Sequence, residues 1–104
     1  MYVILTSKTG EFRTEIGSGM QPVAVCDYLF YGTVRARFVI ARLEQDVKLR
    51  LVDEAPPHLV NVVPTKFLQK FETVEQAMAE LRHLTSFGHM DTRLEPRALD
   101  EAPA

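Results

Sequence analysis

The dipeptide Gly32-Thr33 separates two long runs rich in Val, Ile, Phe and Tyr, Val23–Tyr31 and Val34–Leu43. A two-residue β-hairpin link needs positive φ at one or both of its residues, and glycine takes that conformation without strain. Gly32 at the first central position predicts a type II′ turn. That turn places Tyr31 opposite Val34, Leu29 opposite Ala36, Asp27 opposite Phe38 and Val25 opposite Ile40. A second reversal at Gln45-Asp46 adds Val47–Asp53, so residues 23–53 read as a three-stranded antiparallel meander.

Side chains on a strand alternate between faces, so this pairing sorts the residues. Val25, Leu29, Val34, Phe38, Ile40, Leu49 and Leu51 fall on an apolar face that Asp27, Arg42 and Asp53 interrupt. Tyr28, Phe30, Arg35, Arg37, Lys48 and Arg50 fall on the other face, with Cys26, Val39, Ala41, Leu43 and Val52 towards its far end.

The other segments pack on this unit. Tyr2–Ser7 and Glu11–Ile16 read as a hairpin around Lys8-Thr9-Gly10, a loop suited to a bulged three-residue turn. Gly17–Pro22 is a connector; no helix follows it, so it lacks the context of a phosphate-binding loop. Paired prolines at 56–57 break the sheet, and His58–Val63 gives a further strand. Its apolar residues on both sides suit a central or well-covered position. Lys66–Phe71 suits a short helical turn. Thr73-Val-Glu-Gln76 is a capping box, and the helix it opens carries Val74, Ala77, Met78, Leu81 and Leu84 on one stripe, with Gly88 as its stop.

The expected fold is α+β: a twisted antiparallel sheet of five or six strands, open or partly closed into a barrel, with one C-terminal helix packed on it. Residues 1–88 form a single domain, and 89–104 a mobile tail without periodicity.

The net charge of −2 argues against a protein that coats nucleic acid or an anionic membrane. A lone cysteine, Cys26, excludes an intrachain disulfide. No apolar run reaches the length of a spanning helix, and the first residues lack a basic leader; a cytoplasmic, non-membrane protein is expected.

Three groupings bear on chemistry. Tyr28, Phe30, Arg35 and Arg37, with Lys48 and Arg50 on the same face, form an aromatic-basic patch that suits a partner, an anionic ligand or single-stranded nucleic acid. Asp27 and Asp53 near an apolar wall could have raised pKa values and serve as acid and base, the basis of an enzymatic alternative. His83, His89 and Asp91 lack the tight spacing of a metal site, so neither metal nor cofactor is expected. The reading that covers most of these features is a small non-enzymatic binding or accessory protein. It would act through a sheet face or edge on a protein partner or as a homodimer, with nucleic acid disfavoured by the charge balance.

Overall fold

The computed structural model describes residues 1–86 and 88–99. Its organising hairpin turns one residue earlier than Gly32-Thr33. Tyr31 and Gly32 both have positive φ, 50° and 78°, as a type I′ link requires. Phe30 then lies opposite Thr33 and Leu29 opposite Val34. A bulge leaves Arg35 as the extra residue, after which the pairs run Tyr28–Ala36, Asp27–Arg37, Cys26–Phe38, Val25–Val39 and Ala24–Ile40. This register is one residue from the expected one, so the sorting of faces inverts.

The strands are β1 (Tyr2–Lys8), β2 (Phe12–Glu15), β3 (Met20–Phe30), β4 (Thr33–Leu43), β5 (Lys48–Asp53), β6 (Val60–Pro64) and β7 (Thr92–Arg97). They form one open antiparallel sheet in the order β6-β5-β2-β1-β4-β3-β7. The sheet is therefore seven-stranded and unclosed, larger than the expected five or six strands and without the barrel.

The meander stops at two strands. β1 takes the place beside β4, pairing from Tyr2–Arg42 to Lys8–Ala36, and β5 pairs with β2 instead. β1 can fill a central slot because it is apolar towards both faces, with Val3 and Leu5 on one and Tyr2 and Ile4 on the other. The β4–β5 link is not a free tight turn. Thr65, fully buried, accepts the Val47 N–H on its hydroxyl at 2.9 Å and donates to Asp46 Oδ1 at 3.0 Å. Gly19, at φ +84°, also lies against this link, where an added Cβ would meet Val47 Cγ1 at 2.9 Å.

Two clusters fill the two faces. Val3, Leu5, Val25, Val39, Ala41 and Leu43 share one with Leu49 of β5, so the outer part of the sheet curls back over its centre. Ile40, Phe71 and Ala77 anchor the other with Tyr2, Ile4, Ala24, Val74 and Met78, under helix α1 (Val74–Leu84).

The Thr73 hydroxyl accepts the Gln76 N–H at 3.1 Å, and Gln76 Oε1 accepts the Glu72 N–H at 3.0 Å, a capping box shifted by one donor. The helix ends four residues before Gly88: the Thr85 hydroxyl donates to the Leu81 carbonyl at 2.8 Å and closes the last turn. A single 3₁₀ turn, Thr65–Phe67, replaces the helical turn expected over 66–71. Within the stretch expected to be a tail, 92–97 form β7 against β3; residues 100–104 of that stretch lie outside the described residues.

Candidate functional site

The one-residue slip decides where the candidate side chains go. Tyr28 lies opposite Ala36, not Arg37, and half-buried beside Leu94 of β7. Phe30 sits next to the turn, its ring edge-on to Tyr31 at 4.7 Å and 79°. Arg35 is exposed on the bulge. Arg37 points to the opposite face from Tyr28. Lys48 and Arg50 are exposed on β5, separated from β4 by β2 and β1. The patch therefore does not assemble as one surface: Phe30 and Arg35 share the hairpin tip, and Lys48 and Arg50 flank β6, opposite Pro64 and Val62.

Asp27 lies opposite Arg37 on β4 and Glu95 on β7, not opposite Phe38. Its side chain is 5% exposed. Arg37 Nε donates to Oδ1 at 2.7 Å and its Nη2 to Oδ2 at 3.2 Å, while Arg97 Nε donates to Oδ2 at 2.9 Å. Arg97 Nη2 also reaches Glu95 Oε2 at 3.1 Å. The bond from Arg37, reinforced by that from Arg97, outweighs desolvation and holds the Asp27 carboxyl below the ordinary carboxylate range; the bond to Asp27, with that to Glu95, pushes Arg97 up. The expected raised pKa is thus corrected in sign: Asp27 is a held carboxylate. Asp53 is on β5 opposite Phe12, so the expected carboxylate pair does not form.

Cys26 is buried, and burial pushes its thiol up against the pull of the Arg82 charge, which is the opposite of an activated thiolate. Among the described residues, no group of three His, Cys, Asp or Glu side chains could hold a metal ion. A cleft of about 430 Å³ opens between Gly19, Met20, Gln21, Arg42, Glu44 and Gln45. Its one arginine is engaged within the chain, donating to Gln21 Oε1 at 3.1 Å and lying 3.7 Å from Glu44.

The remaining surface with binding chemistry is β6, which is an outer strand and not the central or well-covered one its composition suggests. Leu59, Val60 and Val62 are 60%, 44% and 56% exposed, and Phe67 just beyond is 73% exposed. The Asp53 N–H bonds to the Leu59 carbonyl at 2.9 Å and the Thr65 N–H to the Val47 carbonyl at 2.8 Å, flanking the β5–β6 ladder. Backbone groups alternate in direction along a strand. Residues 59, 61, 63 and 65 therefore face β5, while the N–H and C=O of Val60 and Val62 face outward. No backbone group among the described residues meets them there.

The other edge contrasts with it. β7 carries Arg93, Glu95, Pro96 and Arg97, the charges and proline that keep a free edge from pairing. β6 has neither charge nor proline until Pro64. The uncharged run was visible in the sequence; its edge position was not, because strand order is set by long-range packing.

No protein-family model, curated protein or solved structure matches this chain.

Proposed function

We propose that this is a small non-enzymatic binding protein that acts through the outer edge of β6 by taking up an extended strand. The observation that carries the reading is the pair of outward-facing peptide groups at Val60 and Val62, set in an exposed apolar, uncharged run. Such groups lose free energy unless they meet water or another backbone, and only another strand meets N–H and C=O alternately at this spacing. Lys48 and Arg50 give the edge a basic flank, which favours an acidic residue beside the apolar ones in the incoming segment. Asp27, held as a carboxylate by two arginines, lacks the poise of a general acid or base near neutral pH, which weighs against the enzymatic alternative.

Selection from a library of displayed extended peptides tests this. Wild-type protein should enrich sequences of alternating apolar residues, and these should shift the Val60 and Val62 amide resonances first. Val62→Lys should retain its melting temperature and lose the enrichment. Binding that maps to the hairpin tip around Phe30 and Arg35 would move the site there.

A further inference from the structure

We infer that the strand taken up by the β6 edge is β6 of a second copy, antiparallel about a two-fold axis through Asn61; this rests on the reading of β6 as a binding edge. The sequence of the edge is close to its own mirror. Leu59-Val60-Asn61-Val62-Val63, turned about Asn61, sets Val60 against Val62 of the other copy, Leu59 against Val63, and Asn61 against itself.

The outward peptide groups are those of Val60 and Val62, so this register joins each to its counterpart and leaves none unmet. Asn61 falls at a non-hydrogen-bonded position, where Cα atoms approach to about 4.5 Å and two side-chain amides can bond each other. A slip by one residue would direct the outward groups of each copy past those of the other. A charged residue anywhere in the run would face its like or be desolvated across the axis; the run has none.

Charge at the strand ends agrees with the antiparallel sense. Glu54 at one end of β5 comes level with Lys48 of the other copy. Three strand spacings, about 14 Å, separate the two, which exceeds the screening length of about 8 Å at physiological salt. This term biases orientation and contributes little to affinity. The valines supply the dry contact: Val60 and Val62 of both copies meet on one face, next to Arg50.

Sedimentation across micromolar to sub-millimolar concentrations reads the association, and engineered thiols read its register. Wild-type mass should rise with concentration from one chain towards two, while Val62→Lys should stay at one chain and melt as the wild type does at the lowest concentrations, where both are single. Cys26 is buried, so an added thiol is the one that mild oxidant reaches. Asn61→Cys should form an intermolecular disulfide. Val60→Cys should cross-link far less, because its two copies lie about 8 Å apart in this register, beyond the roughly 7 Å that a disulfide spans.

A wild-type mass of one chain throughout, an association that Val62→Lys leaves intact, or equal cross-linking by the two thiol variants would overturn the inference. If the chain stays single while selected peptides still shift Val60 and Val62, the second copy is excluded and the binding edge stands. If the peptides also fail, both fall.

Discussion

At the scale of single residues the chain concentrates its electrostatics on Asp27. The carboxylate is nearly out of solvent and meets two guanidinium groups, each about a third exposed. Its pKa in the folded chain lies below the ordinary value, so the unfolded chain takes up the proton first as pH falls. The interaction is fully present above the unfolded value, about 3.9, and is lost as pH drops through the lower folded value. Asp27→Asn leaves two arginines facing a neutral amide. It should cost about 2 kcal/mol at neutral pH, less than a fully buried pair because the arginines are partly solvated. Urea unfolding of both proteins at pH 7 and in a series below pH 4 checks this. The gap between them should shrink as acid removes the wild-type charge, and a gap of constant size would assign the loss to packing instead.

At the scale of elements, sequence periodicity locates six strands and the helix, each within a few residues, because each carries an apolar pattern and an identifiable turn or cap. It does not locate the register of the central hairpin. Phe38, Val39, Ile40 and Ala41 of β4 are apolar in both parities, and both sheet faces are covered, by Leu49 and its neighbours on one side and α1 on the other. Alternation cannot choose between two dry faces. The observed register sets Asp27 opposite Arg37, a cross-strand charge pair, and uses a type I′ turn that takes Tyr31 at φ 50° and matches the strand twist.

β7 escaped the same logic. Thr92–Arg97 has no apolar alternation, and Pro96 removes a donor. Its attachment depends on backbone bonds to β3 and on Arg97 reaching Asp27 across 70 residues of sequence. Arg97→Ala should therefore raise amide exchange in β7 by about tenfold or more, the equivalent of roughly 1.4 kcal/mol in local opening, and leave β1 and β4 unaffected. Mass-resolved exchange of a 92–97 peptide against a 38–43 peptide measures it; equal acceleration in both would show that β7 is part of the global unit.

At the scale of the whole molecule the sheet has a seam. On one side lie β7, β3, β4 and β1 under α1; on the other lie β2, β5 and the proposed binding strand β6. The paired residues across the seam are Lys8 and Phe12. Side chains substitute for the rest of the ladder: the Thr14 N–H donates to Ser7 Oγ at 2.9 Å, and the Thr14 hydroxyl donates to the Thr6 carbonyl. Leu49 of β5, 4% exposed, makes dry contact across the seam by packing with Val3, Leu5 and Val39, with Ile16, Val47 and Leu68 against the same cluster.

Leu49 couples the half that carries β6 to the centre of the sheet, and local opening of that half costs less than global unfolding. Leu49→Ala isolates that coupling. It should lower stability by about 3 kcal/mol through lost burial and a residual cavity, a large part of the 5–10 kcal/mol or so typical of a domain this size. The loss should be uneven. Exchange of β5 and β6 amides should become independent of denaturant at low concentrations, the mark of a partial opening, while β1, β3 and β4 keep the steep dependence of global unfolding. A single slope shared by all seven strands would show that the seam transmits stability undiminished and that β6 is held as firmly as the centre of the sheet.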